Sequence, residues 1–265
     1  MRTILSRLSL LSLILALAGP ANAVDGVLEI NQTCAVQTGC FAGDAAGFPV
    51  TIGTGGSYRL TSNLGMTNLD VTAILVSASN VTLDLGGFRV LCTIFTPPFD
   101  VAPCGSSEAG SGRGVDVVVF SPVLAGIEVR NGSIVGMRGD GVRLGDRSVV
   151  RDLRISQNGR NGVIVGIGSI VSRNTVSQNG NDGILAGAGS RISGNTITEN
   201  GLHGIDIGDD CLVLQNTVRQ NGERGLFVGT GTGYRENVIN GNALSTVLGG
   251  INMGANICNG LTTCP

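Results

Sequence analysis

Apolar and polar residues alternate in short bursts along the second half of the chain, and the bursts return with a fixed period. Gly141, Gly162, Gly183, Gly204 and Gly225 are each separated by 21 residues. Aligned on those glycines, the segments read DGVRLGDRSVVRDLRISQNGR, NGVIVGIGSIVSRNTVSQNGN, DGILAGAGSRISGNTITENGL, HGIDIGDDCLVLQNTVRQNGE and RGLFVGTGTGYRENVINGNAL. After each glycine, Val142, Val163, Ile184, Ile205 and Leu226 form one apolar column, and Leu144, Val165, Ala186, Ile207 and Val228 a second. A period of two puts both columns on the same side of a short strand. Val150, Val171, Ile192, Val213 and Tyr234 form a third column; Ile155, Val176, Ile197, Val218 and Ile239 form a fourth. Each repeat therefore predicts several short strands, stacked on their equivalents at the interstrand spacing of about 4.8 Å.

Polar columns keep the same register. Asn174, Asn195, Asn216 and Asn237 predict an asparagine ladder bonding the turns of successive coils. Ser148, Ser169, Ser190, Cys211 and Thr232 mark a slot for a small side chain, which accounts for Cys211 as a packed, free thiol. Upstream the period loosens. Thr72 to Cys92 and Ala125 to Gly136 read as earlier coils, separated by an insertion from Thr93 to Val115 rich in Pro, Gly and Ser, which is expected as a loop.

The sequence is thus an all-β, single-domain solenoid whose coils hold about 21 residues and whose ends must be capped against edge-to-edge pairing. The expected division is a signal peptide over 1–23, an N-terminal cap over 24–52, a parallel β-helix over 53–243 and a C-terminal cap over 244–265. The signal reading rests on Arg2 and Arg7, the apolar run Leu8 to Leu17 and the small residues Ala21-Asn22-Ala23. That run is too short for a bilayer core of about 30 Å, so no transmembrane segment is expected, and the periplasm or the outside is the expected location.

Composition narrows the partners. Without Arg2 and Arg7 the 17 basic residues fall to fifteen against 19 acids, a net charge near −4 that offers nucleic acid no basic surface. The chain has no Lys, one His and no Trp, which removes lysine chemistry and limits aromatic stacking. The cysteines fall into local pairs, Cys34 with Cys40, Cys92 with Cys104 and Cys258 with Cys264, expected as disulfides in an oxidising compartment.

Over roughly Gly53 to Asn242 the chain resembles the pectate-lyase-like superfamily of right-handed parallel β-helix proteins, and GSYRLTSNL and SNVTLDLGGFRV look like the opening coils of its bacterial members. The resemblance implies extracellular work on polysaccharides by lyases, hydrolases or epimerases of uronate polymers. Fold alone assigns no activity, so outward residues must carry it.

HGIDIGDDC puts His203, Asp206, Asp209 and Asp210 on one coil. In the column before the glycines, Asp182, His203 and Arg224 stack as acid, base and cation. A lyase or epimerase would use His203 as base for the sugar C5 proton, Arg224 against the developing carboxylate charge, and Asp182 or Asp206 in support. Asp140, Asn161, Asp182, His203 and Arg224 are equally what a polar turn before an obligatory glycine would carry. GDDC is similar to a polygalacturonase motif, but the NTD, GHG and RIK motifs of that family are missing, as is the DPHD signature of alginate C5-epimerases. Copper delivery is disfavoured by one His and scattered Met66, Met137 and Met253. Calcium bridged by Asp206, Asp209 or Asp210 and a sugar carboxylate is the one metal role open; no other cofactor is expected. The leading expectation is a monomeric protein that binds polysaccharide or another extended ligand along one face. A uronate lyase or C5-epimerase and a structural, adhesin-like surface protein are its alternatives.

Overall fold

The computed structural model describes residues 26–96, 100–104, 110–118, 124–262 and 264. The expected signal peptide lies outside the described residues. Over the described residues the chain folds as a parallel β-helix with three ladders of short strands and one short helix. The first ladder is a nine-stranded parallel sheet in chain order, from Val50–Ile52 and Ile74–Val76 through Val163–Val165, Ile184–Ala186, Ile205–Ile207 and Arg224–Val228 to Ser245–Leu248. The second starts where Val27–Ile30 pairs with Gly56–Leu60 and ends at Ile251–Asn252. The third runs from Leu64–Met66 to Ile257–Cys258. Two longer strands, Glu128–Val135 and Val149–Ser156, turn the corner between the second and third ladders and pair along both.

The four apolar columns of the repeat are all buried inside the coil. Each rung of one coil pairs with the residue 21 positions on, as with Ile184, Ile205 and Leu226. The repeated glycine is dictated by crowding at this point. A Cβ on Gly204 would collide with Val218 Cγ1 and lie 2.8 Å from Asn221 Nδ2, so any side chain there would push two walls of the coil apart.

Amide ladders hold the corners. Oδ1 of Asn195 accepts from both the backbone N and Nδ2 of Asn174, at 2.9 and 3.0 Å, and the pattern repeats through Asn216 and Asn237 to Asn256. A second ladder, Asn158, Asn179, Asn200, Asn221 and Asn242, runs along the corner between the third and first sheets. Cys211 is the one free cysteine among the described residues; it is buried, and its Sγ takes the backbone N–H of Ser190 where neighbouring coils use a hydroxyl. Burial pushes its thiol up from the ordinary value. It is a packing residue.

All three expected disulfides are present. Cys92–Cys104 closes the base of an antiparallel hairpin, Arg89–Thr96 with Asp100–Pro103, so the first part of the insertion is sheet and not loop. Val115–Val117 at its far end already belongs to the first sheet. At the N-terminal end the helix Gln32–Gln37, capped by Asn31, buries Ala35 against the core, with Phe41 and Phe48 packed beside it. No helix of the described residues is long and apolar enough to cross a membrane.

Candidate functional site

In each strand of the first sheet the central side chain points away from the core, because its neighbours on either side fill it. Register stacks these outward residues as Asp116, Arg143, Ile164, Leu185, Asp206, Phe227 and Leu248. The face is an apolar stripe interrupted by charge at two levels.

The first level contains His203. Asp182 Oδ1 accepts the backbone N–H of His203 at 2.9 Å, and His203 Nδ1 accepts that of Arg224 at 3.3 Å. Asn161 and Asp140 bond in the same way one and two coils earlier. The column before the glycines is therefore a hydrogen-bond ladder in its own right, the turn role that Asn and Asp imply there. Asp182, His203 and Arg224 are neighbours on successive coils, as the spacing predicts. The imidazole is fully engaged: Nδ1 faces the backbone N–H of Arg224, while Nε2 faces Glu223 Oε2 at 3.2 Å. Its ring lies 5.1 Å from that of Phe227, over which the Arg224 guanidinium sits at 5.6 Å.

Two carboxyls share this level. Burial pushes Asp182 above the ordinary carboxylate range. Asp206 is raised as well, by burial first and by the charge of Asp182 second. No described residue donates a hydrogen bond to the Asp206 carboxylate, yet its oxygens are not sealed from solvent. It is an acceptor waiting on the surface.

A raised acid binds more protons folded than unfolded, so stability falls as pH rises through the window between the two values, and the full penalty stands above it. Asp206→Asn is accordingly expected to raise the melting temperature by a few degrees at neutral pH. The gain should fade as pH drops towards about 4, where unfolded carboxylates themselves protonate. Paired thermal melts across that range would show it, and a gain independent of pH would contradict the assignment.

The second charged level, three coils earlier, was not foreseen. Asp116 is held by Arg143 Nε and Nη2 at 2.6 and 2.9 Å, and Arg113 bridges Asp116 and Asp140 at 3.2 and 2.8 Å. Both acids are buried. Reading 93–115 as a loop hid it, because the step from Arg113 to Asp140 is 27 residues, not 21. Glu223 was also missed. It stands one residue short of a full repeat from His203, a diagonal neighbour that column alignment alone overlooks.

Asp209 and Asp210 lie in the turn beyond Asp206. Asp209 Oδ1 accepts from Thr230 N at 2.7 Å, and Asp210 takes a left-handed backbone with φ 54°. Among the described residues no three His, Cys, Asp or Glu side chains come together to hold a metal ion, so the three carboxylates proposed for calcium do not form a ready-made cage. Pro103 of the insertion walls a depression of about 500 Å³ over Gln157, Gln178 and Glu199, across the Asn200 corner from His203.

This combination of coiled parallel sheets, amide ladders and a charged outward face defines a parallel β-helix protein. The family model described as a right handed beta helix region matches residues 121–262, and the chain belongs to that family. No curated protein matches it in sequence. Among solved structures it is similar to the A-module of the Azotobacter vinelandii mannuronan C-5 epimerase AlgE6, with 16% identity and TM-score 0.52 over 84% of this chain and 61% of that one. It is similar to the periplasmic alginate epimerase AlgG, with 14% identity and TM-score 0.54 over 86% of this chain and 56% of that one. It is also similar to the enzymatically active domain of bacteriophage CBA120 tailspike protein 2, with 13% identity and TM-score 0.55 over 88% of this chain and 38% of that one. The chain thus spans less than two thirds of the length of each, and at these identities the likeness is one of fold.

Proposed function

We propose that the protein binds an acidic polysaccharide along the outward face of its first sheet, outside the cytoplasm. The observation that carries this reading is the composite surface of the His203 coil: an unclaimed acceptor on Asp206, a guanidinium on Arg224 and the exposed Phe227 ring on one flat face. Sugar hydroxyls suit the acceptor, a uronate carboxylate suits the guanidinium, and a pyranose face suits the ring. The fold neighbours include alginate and mannuronan epimerases by name. Three disulfides suit an oxidising compartment, in keeping with the signal-like N-terminus. Calcium between Asp206 and a sugar carboxylate would add to the contact without needing a protein cage.

A lyase or epimerase on the same face is the second reading, favoured by the two raised carboxyls of Asp182 and Asp206 on adjoining coils. Against it, both imidazole nitrogens of His203 are already engaged.

The test incubates the mature protein with immobilised alginate, pectate and a neutral glucan, with and without calcium, and follows retention, ultraviolet absorbance of unsaturated products and reducing ends. Retention on an acidic polymer without products is expected, weakened about tenfold by Arg224→Ala, the loss of one charge-assisted contact of about 1.4 kcal/mol. Unsaturated products abolished by His203→Ala would establish the lyase reading. Absence of retention on every polymer would leave the structural, adhesin-like role.

A further inference from the structure

The corner between the third and first sheets carries a groove that the stacking of the coils itself keeps open. Gly159, Gly180, Gly201 and Gly222 follow one another there at the 21-residue period. A Cβ on Gly180, Gly201 or Gly222 would collide with the carbonyl oxygen of the glycine one coil earlier, so the floor of the groove is bare backbone. Behind it Asn158 and Asn179 are spent on their ladder, each Nδ2 donating to the amide oxygen of the next coil at 2.8 and 2.9 Å.

Gln157, Gln178 and Glu199 stand two residues before these glycines, one per coil and all exposed. Each takes a left-handed backbone, with φ of 57° or 58°. Together with Pro103 they line the depression of about 500 Å³, a size ordinary for a small-molecule site. The Pro103 wall is firmly held. Its hairpin is stapled by Cys92–Cys104, and Pro103 packs so closely over Gly136 that a Cβ there would lie 3.0 Å from Pro103 Cβ.

The chemistry of this lining differs from that of the His203 face. Gln178 Nε2 donates to Glu199 Oε2 at 3.0 Å, while Gln178 Oε1, Glu199 Oε1 and the whole Gln157 carboxamide have no hydrogen-bond partner among the described residues. Glu199 is the one charge among the described lining residues, which include neither an aromatic ring nor a guanidinium. Amides both donate and accept, as sugar hydroxyls do, and a carboxylate accepts from them. A uronate would meet the like charge of Glu199 with no cation to offset it. Coils stacked at about 4.8 Å present one such side chain per step, close to the length of a single pyranose unit.

We propose that this groove is a second glycan site, which takes a neutral oligosaccharide lying along the solenoid axis, independently of any ligand on the His203 face. Titration of the isotope-labelled mature protein with cellohexaose, mannohexaose and maltohexaose, and with a galacturonate hexamer as the charged comparison, reads the site through its amide signals. A neutral hexamer is expected to shift the side-chain amides of Gln157 and Gln178 and the backbone amides of Gly180 and Gly201. Gln157→Ala with Gln178→Ala should weaken that binding at least about tenfold and leave retention on acidic polymers as it is, so the two sites fail separately. Glu199→Gln should admit the galacturonate hexamer to the groove. Unchanged thermal melts verify that these surface variants are folded. No shift in the groove with any neutral hexamer, binding indifferent to the paired alanines, or a wild-type groove that takes the galacturonate hexamer as readily as a neutral one would overturn the proposal.

Discussion

Ile205→Asp is expected to unfold the coils around it, costing on the order of 4 kcal/mol or more, while Asp206→Ala, one residue away, stays within about 1 kcal/mol of the wild type. Ile205 has no exposed surface and stacks between Ile184 and Leu226 inside the coil. A carboxylate there would lose hydration with no donor or cation to replace it, and a group in that position either remains charged at great cost or protonates at a large shift. Asp206 points outward, and its carboxyl is already disfavoured by burial and by Asp182, so removing it leaves the stacking untouched. For a chain of this size each kcal/mol moves the melting temperature by roughly 2–4 °C, which separates the two variants by about ten degrees. Thermal melts followed by circular dichroism read this directly. Similar losses from both substitutions would mean that inward and outward positions are assigned the wrong way round. A solenoid adds one consequence: each coil contacts only its neighbours, so the damage should be local, with amide exchange accelerated first in the coils around 184–228.

The difference between these two residues was legible in the sequence because strand alternation and the 21-residue period act together. Wherever the period is unbroken, from Gly141 to Gly225, every inward column lies where the pattern places it. The thiol of Cys211 was readable for the same reason, from the Ser and Thr above and below it. Legibility ends where the period does. The hairpin at Asp100–Pro103 and the Arg113, Asp116, Asp140 and Arg143 cluster follow an insertion whose register no repeat fixes. The site posed a different difficulty. His203, Asp182 and Arg224 were brought together by column spacing, but what each atom does depends on side-chain torsion. That Nδ1 takes a backbone N–H while Nε2 faces Glu223 is a matter of rotamer, which periodicity does not encode. The asparagine within each QNG or ENG turn recurs as regularly as the first amide column, and its ladder was available to the same reasoning.

Asn195→Asp is expected to be more damaging near neutral pH than Asn195→Ala, the reverse of what side-chain size alone suggests. Oδ1 of Asn195 accepts from the backbone N and Nδ2 of Asn174, at 2.9 and 3.0 Å, while its Nδ2 approaches Val171 O, Ser193 O and Asn216 Oδ1 at 2.9, 3.2 and 3.0 Å. All of this occurs in a buried slot. Alanine orphans a buried N–H on one side and a carbonyl on the other, each worth about 1–3 kcal/mol, for a loss of roughly 3 kcal/mol after relaxation. Aspartate keeps the acceptor, but its second oxygen points at three other acceptors, so a charge is buried with lone pairs facing it. Protonation would relieve that conflict, since a carboxylic O–H can donate to one of the three. The acid form should therefore bind its proton more tightly folded than unfolded, and the stability of Asn195→Asp should recover as pH falls while that of Asn195→Ala follows the wild type. Denaturant melts of the three proteins at neutral and acidic pH decide the matter. If aspartate costs no more than alanine at neutral pH, the amide serves the ladder as an acceptor only; if it costs more and recovers in acid, the donor half of each amide is what ties one coil to the next.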